Sequence, residues 1–294
     1  MKKKNHFDYI ICGGGASGLL LAFRICNDPF FADKSILLIE KENKNLNDRT
    51  WCFWESNEGD LEEIIHKTWN KSFFASKDFR LEFNLKPYQY KMIRSLDFYK
   101  FMQQRLKMFN QLIQVKDEVQ KIESNRVTTL EKEYNSDLIF SSILDPKKLF
   151  QQKKYPVLQQ HFVGQIIEAK NNCFDPDRIE FMNFDIPQKG NTRFMYVLPL
   201  SSNKALLEFT LFSEDLLDRQ DYVDEITAFA NQIPTGGYKV IEEEQGNIPM
   251  TCFRFDISNT ENILQIGTAG GWTKPSTGYT FQRINLSLIH ISEP

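Results

Sequence analysis

Three observations in the sequence predict an α/β fold of Rossmann type that carries an inserted mixed α+β domain. An apolar run rich in β-formers, Phe7 to Cys12, is followed at once by Gly13-Gly14-Gly15-Ala16-Ser17-Gly18. The middle of the chain, from Gln159 to Leu211, is dense in apolar segments of strand length. A second strand-to-glycine segment, Ile263 to Gly271, lies near the other end. The first and third pair naturally as halves of one nucleotide-binding unit, and the second reads as a domain placed between them.

The elements follow in order. Phe7–Cys12 is a buried strand. The G-x-G-x-x-G after it calls for a tight turn at Gly13, a close approach of backbone to a pyrophosphate at Gly15, and close helix–strand packing at Gly18. A helical pattern runs from Leu19 to Cys26 and stops at Asn27-Asp28-Pro29. Ser35–Ile39 is the next strand, closed by Glu40, which stands 22 residues after Gly18 (40 − 18), where an acid reaches ribose hydroxyls. A helix is expected over Asp97–Met108. Strands are expected over Gln114–Val119, Val127–Leu130 and Ser136–Leu144, and Asp145-Pro146 marks a boundary. His161–Glu168, Arg178–Phe184, Arg193–Leu200 and Lys204–Phe212 read as strands. Asp221–Gln232 reads as a helix broken by Pro234-Thr235-Gly236-Gly237.

Composition narrows the classes. With 294 residues the chain has length for about two domains, and 36 Lys+Arg against 39 Asp+Glu leaves a net charge of −3. No basic face is implied, so a nucleic-acid partner is not expected. The five cysteines, Cys12, Cys26, Cys52, Cys173 and Cys252, have no C-x-x-C spacing. They read as reduced intracellular thiols in a cytoplasmic protein. After Met1-Lys2-Lys3-Lys4 the apolar stretch is too short for a signal segment, and no apolar run approaches the roughly 20 residues of a membrane span. The four histidines are scattered without ligand spacing, so no metal site is expected. The 25 phenylalanines, beside 10 tyrosines and 4 tryptophans, describe an aromatic-rich core.

The dinucleotide is expected to be FAD. The motif stands at the extreme amino end in a G-G-G-x-x-G form, and Gly267, Gly270 and Gly271, followed by Thr277 and Gly278, form the kind of second segment that returns to a flavin.

A wider series of motifs is more specific. Asp48-Arg49-Thr50-Trp51-Cys52-Phe53-Trp54, Tyr90 to Tyr99, Gln160-His161-Phe162-Val163-Gly164, Phe194 to Pro199, Leu207-Glu208-Phe209-Thr210, Gly246-Asn247-Ile248-Pro249-Met250 and Gly267 to Tyr279 occur in this order. Together they resemble the bacterial lycopene cyclase family from Phe7 to about Gln282. The resemblance implies a flavoprotein that binds FAD, takes electrons from NAD(P)H, and closes the acyclic ends of lycopene into β-rings. The ring closure is an isomerisation that nonetheless needs reduced flavin. Lycopene and related carotenoids would be the ligands, and so apolar a substrate implies peripheral contact with a membrane. Glu208 matches the family's E-x-T acid. On a strand it shares a face with Leu206, Thr210 and Phe212, while Ala205, Leu207, Phe209 and Leu211 point the other way. An apolar pocket would raise its pKa into the range of a general acid. Arg49 is the candidate flavin contact of the Asp48–Trp54 motif. Trp51, Trp54 and Thr210 are the candidate substrate contacts, the rings offering π-faces to a carbocation. A flavin-dependent hydroxylase, an isoprenoid reductase and an inactive flavin-binding fragment are the competing readings.

The expected domains are discontinuous. Residues 1–68, 96–150 and 245–285 would form the FAD-binding domain, and 69–95 with 151–244 the substrate domain. Residues 286–294, Leu-Ser-Leu-Ile-His-Ile-Ser-Glu-Pro, depart from the family pattern and resemble a translated transposase adapter, so they are expected to be a non-native tail on a truncated chain.

Overall fold

The computed structural model describes residues 5–292, with side chains through 288. Along the chain the strands and helices are β1 (His6–Cys12), α1 (Ala16–Asn27), β2 (Ile36–Glu40), β3 (Thr50–Glu55), β4 (Lys67–Trp69), β5 (Lys71–Ser76), β6 (Phe79–Asn84), β7 (Gln89–Arg94), α2 (Ser95–Leu106), β8 (Leu112–Lys116) and β9 (Val119–Glu123). Then come β10 (Arg126–Thr129), β11 (Glu133–Ser141), α3 (Pro146–Gln151), β12 (Val157–Ala169), β13 (Arg178–Asn183), β14 (Thr192–Pro199), β15 (Lys204–Ser213), α4 (Arg219–Ala230), β16 (Tyr238–Thr251), β17 (Ile263–Gln265) and α5 (Phe281–Ser292). No described helix is long and apolar enough to cross a membrane.

The chain forms two compact units. Among the described residues the first holds 5–45, 96–156 and 251–292; the second holds 46–95 and 157–250. Residues 46–68 and 245–250 thus fall in the second unit and 151–156 in the first, where the local sequence pattern had suggested otherwise. The reason is long-range pairing: β3 is registered along its whole length on β7, Thr50 to Arg94 through Glu55 to Gln89.

In the first unit the sheet order is β8–β2–β1–β11–β10–β9. β1 runs parallel to β2 and to β11, and β2 parallel to β8. β11 gives its first residues to antiparallel β10 and its last three to parallel β17. The parallel centre is buried: Phe7, Ile10, Leu37, Ile39 and Ile139 belong to one apolar cluster. The glycine turn, Glu40, Ser141 and Gly267 all stand at or just beyond the carboxyl ends of parallel strands, where open α/β sheets bind ligands. The segment expected as one strand over Gln114–Val119 is two, β8 and β9. Asp117 breaks it, because its buried carboxylate accepts from Thr129 Oγ1 and from the Glu118 N–H, which turns the backbone. Ile284 and Leu288 of α5 are buried, and α5 packs against α1. Of the tail expected over 286–294, the side chains of 289–292 and the whole of 293–294 lie outside the described residues, as does Met1–Lys4.

In the second unit a seven-stranded sheet has the order β16–β12–β15–β14–β13–β5–β6, and β3, β7 and β4 form a three-stranded sheet. The strands β12, β14 and β15 pair antiparallel over most of their lengths. Alternation gives the large sheet two different faces. One carries Val163, Ile167, Met195, Val197, Leu207, Phe209 and Leu211 against Tyr222, Ile226 and Ala230 of α4. The other carries Ile166, Ile179, Phe194, Tyr196, Leu198 and Leu206 against Trp69, Tyr90 and Met92 of the small sheet, with Cys52 and Trp54 of β3 packed on them. Trp69 is fully buried, and its indole N–H is satisfied by the Pro199 carbonyl at 2.8 Å. On the outer face of the small sheet the buried Lys91 ammonium is held by Glu62 at 2.6 Å and Glu55 at 3.0 Å.

Candidate active site and cofactor cradle

Glu208 lies near the middle of β15, paired with Gly164 of β12 on one side and Tyr196 of β14 on the other. Its side chain is on the face that meets the small sheet, because Leu206 and Phe212 on either side of it belong to that face. The layer is aromatic. Trp54 lies 4.6 Å from Tyr90 and 5.2 Å from Phe181, Phe181 lies 5.6 Å from Tyr196, and Tyr196 lies 5.2 Å from Phe194, centroid to centroid. Each meets its neighbour tilted or edge to face, the arrangement that the ring quadrupole favours.

The polar groups in this layer fall into three pairs. Thr210 Oγ1 donates to Glu208 Oε1 at 2.8 Å. Thr50 Oγ1 donates to Glu244 Oε2 at 2.6 Å. Arg94 pairs with Glu242. Glu208 is half-buried, and the protein crowded around its carboxyl removes water, which pushes its pKa up to about 8; the Glu244 carboxylate adds to the rise and the Thr210 hydroxyl opposes it. Glu244 is raised too, first by burial, with Thr50, Arg94 and Arg49 pulling it down. Burial, with Glu208 and Glu244 near by, keeps the Cys52 thiol protonated well above its usual range. The arrangement can therefore hold a neutral carboxylic acid near neutral pH, next to π-faces, which is the equipment for protonating an apolar substrate and stabilising a cation.

The residues expected in this site are distributed as follows. Thr50, Cys52 and Trp54 alternate onto the Glu208 face, whereas Trp51 and Phe53 alternate onto the opposite face of β3. Thr210 is on the Glu208 carboxyl itself. Arg49, at the foot of β3, is exposed, sits in the second unit, and gives its backbone N–H to Ser95 Oγ. Glu244 was not anticipated. In sequence it is the third of three consecutive glutamates, Glu242-Glu243-Glu244, which reads as a solvated run. As part of a strand, however, Glu242 and Glu244 share a face and Glu243 turns away, toward Gln165 and Arg219.

The first unit contains the other candidate set. A Cβ on Gly18 would stand 1.9 Å from the Gly13 carbonyl oxygen, so α1 packs onto the turn only because that side chain is missing. Gly15, by contrast, faces open space, and as the N-cap of α1 it leaves the first helical N–H groups without a side-chain cap. Gly267 has φ +61° and comes so near Ser17 that a Cβ there would meet its hydroxyl at 2.1 Å, so the two glycine segments lie against each other. Gly270 packs on the Gln265 backbone, while Gly271 and Gly278 have φ +75° and +71°. Thr277 has a buried hydroxyl with no hydrogen-bond partner among the described residues. Glu40 accepts from the Gly14 and Glu42 N–H groups at 2.6 and 2.8 Å. It borders a cleft of about 260 Å³ lined by Gly14, Leu19, Leu38, Lys44 and Gln103 among others. Free amides at a helix start, open space at Gly15, an orphan hydroxyl and an acid beside a partly apolar cleft fit a dinucleotide such as FAD.

The sequence model of the family described as "Lycopene cyclase protein" matches residues 8–288. The chain belongs to the lycopene cyclase family. Among curated relatives it is 25% identical over 305 residues to a chloroplastic neoxanthin synthase of Solanum tuberosum, covering 94% of this chain and 58% of that protein. It is 24% identical over 292 residues to a lycopene beta-cyclase of Pantoea ananas, covering 94% and 71%. The chain thus spans less than three fifths of the first relative's length. Among solved structures, a geranylgeranyl bacteriochlorophyll reductase-like protein from Thermoplasma acidophilum superposes with a TM-score of 0.71 at 13% identity, covering 99% of this chain and 78% of that one. A flavin-dependent brominase superposes at 0.67 with 14% identity, covering 98% and 78%. The fold of this family member is that of flavin-dependent enzymes, with the Rossmann-type unit and the inserted strand-rich domain that its sequence predicts.

Proposed function

We propose that this family member is a lycopene β-cyclase, an isomerase that closes the acyclic ends of lycopene into β-ionone rings. The observation that carries the reading is the Glu208 carboxyl, held by Thr210 and set in an aromatic layer, in a chain of this family. Glu208 gives its proton to a terminal carbon–carbon double bond. The neighbouring alkene closes the ring with its π-electrons, and a ring C–H proton then leaves, so proton and electron counts return to their starting values. Trp54, Phe181 and Tyr196 stabilise the intermediate cation through their π-faces. Thr210 orients the acid, and the apolar packing around it keeps water from intercepting the cation.

Gly13, Gly15, Gly18, Gly267, Gly270, Gly271, Thr277 and Gly278 would hold FAD, with Glu40 toward the ribose hydroxyls. FAD held there and reduced by NAD(P)H would supply an electron-rich ring. Such a substrate implies peripheral contact with the membrane in which it dissolves.

Expression of this chain in cells that accumulate lycopene, followed by separation of the pigments, tests the reading. β-Carotene is expected from the wild type, with at least about a hundredfold less from Glu208→Gln, the scale of losing a general acid. Unchanged lycopene beside folded, flavin-loaded wild-type protein would move the assignment to a redox flavoenzyme, such as a hydroxylase or isoprenoid reductase.

A further inference from the structure

A second carboxylate stands in the Glu208 layer, and a single glycine accounts for its place there. The sheet order β15–β12–β16 puts Glu208, Gly164 and Glu244 on three successive strands. A Cβ built on Gly164 would lie 3.5 Å from Glu208 Cβ, 3.3 Å from Glu244 Cγ and 3.0 Å from Leu206 Cδ1. Any other residue at 164 would stand between the two acids. The same device recurs one step along: a Cβ on Gly246 would strike the Phe162 ring at 2.3 Å, so β16 lies low against β12 on this face.

The two acids are not equivalent. Burial raises Glu244 as well, but its anion has partners: Thr50 donates to it, and Arg94 and Arg49 act on it through space, with Glu242 opposing. Glu208 has the Thr210 hydroxyl and, among the described residues, no arginine hydrogen-bonded to it; its other neighbours on this face are Tyr196 across the pairing, the Cys52 thiol and the aromatic cluster. Two like charges on either side of Gly164, both crowded by protein, do not form together cheaply, so one proton stays with the pair. The asymmetry of partners puts it on Glu208.

From this geometry we propose that Glu244 is a positioning residue: its carboxylate, set across Gly164, adds to burial in keeping the proton on Glu208 until the substrate takes it. The proposal rests on Glu208 being the acid of the proposed cyclisation. It adds that once Glu208 has given up its proton, the two facing carboxylates make it a strong base for the departing ring proton. The pair therefore resets after each turnover with no net proton consumed.

The test is a pH titration of the infrared carbonyl band of neutral Glu208, identified as the band missing from Glu208→Gln. In the wild type the band is expected to persist to about pH 8. In Glu244→Gln, with the like charge gone, it is expected to disappear about one pH unit or more lower. The alkaline limb of β-carotene formation is expected to move with it, where a merely structural residue would lower the rate without moving the limb. Glu244→Asp keeps the charge one methylene further back and is expected to titrate between the two. An unchanged titration point in folded Glu244→Gln would overturn the proposal. If that variant does not fold, Glu244→Asp decides: a lowered point supports the proposal and an unchanged one overturns it. The band reports the pair whether or not pigment forms, so failure here and failure of the cyclase reading are separable.

Discussion

At the residue scale the unusual feature is a carboxyl group whose charged form the fold disfavours. In the unfolded chain Glu208 ionises near 4.5, and in the folded chain near 8. The folded state therefore binds more protons than the unfolded state between those values, and stability falls as pH rises through the window, flattening above it. Glu244 is raised as well and adds to the same slope. Glu208→Gln removes the titration while keeping the shape. Its melting temperature is expected to match the wild type near pH 5 and to exceed it by several degrees near pH 9, on the order of 2 kcal/mol once the acid's remaining solvent contact is allowed for. Thermal scans at both pH values check this, and a gap that stays constant with pH would show that the Glu208 carboxyl is not desolvated in the fold. The proposed acid thus costs stability, as groups poised for chemistry generally do.

At the element scale, Gly15 and Gly18 of the β1–α1 turn have different duties that substitution can separate. Gly18 is a packing residue, since a side chain there meets the backbone of Gly13. Gly15 has nothing within 4 Å of where its Cβ would be, so a side chain there fills open space, the space proposed for the ligand, rather than protein space. Gly18→Val is expected to destabilise the first unit by several kcal/mol through forced backbone displacement. Gly15→Val is expected to leave the melting temperature of the ligand-free protein within about 1 °C while abolishing the flavin absorbance of the purified protein. Equal destabilisation by both would remove the assignment of Gly15 to a ligand. The same scale shows what the sequence made legible. β1, α1, β2, β14, β15 and β17 are apolar runs bounded by turn residues, and their positions could be read directly. The strands β4 to β7 and β16 could not. β6 is exposed along its whole length, and β16, with Lys239 and Glu242-Glu243-Glu244, looks like a solvated loop. These strands are defined by the neighbours they hydrogen-bond, which are far away in sequence. The candidate site divides along the same line: Glu208, Thr210 and Trp54 lie in motifs, whereas Glu244 becomes meaningful only when the order β15–β12–β16 places Gly164 beside it.

At the scale of the whole molecule, the two units present different chemistry on separate cores. The first has glycine turns, helix-start amides and the acid Glu40 at the ends of parallel strands. The second has an acid pair in an aromatic layer between two sheets. A ligand bound only by the folded form raises stability by RT ln(1 + [L]/Kd), about 2.7 kcal/mol at a hundredfold excess over Kd. Added FAD is therefore expected to raise the melting temperature of the wild type in step with the logarithm of its concentration. The rise should vanish in Gly15→Val, whose turn cannot admit a pyrophosphate, and persist in Glu208→Gln and Glu244→Gln, whose changes lie in the second unit. Differential scanning fluorimetry across an FAD series in the four proteins measures it. A rise retained by Gly15→Val would place the flavin elsewhere than the β1–α1 turn. A rise lost in Glu208→Gln would mean that the acid pair takes part in holding the cofactor, and the division of labour between the units would have to be redrawn.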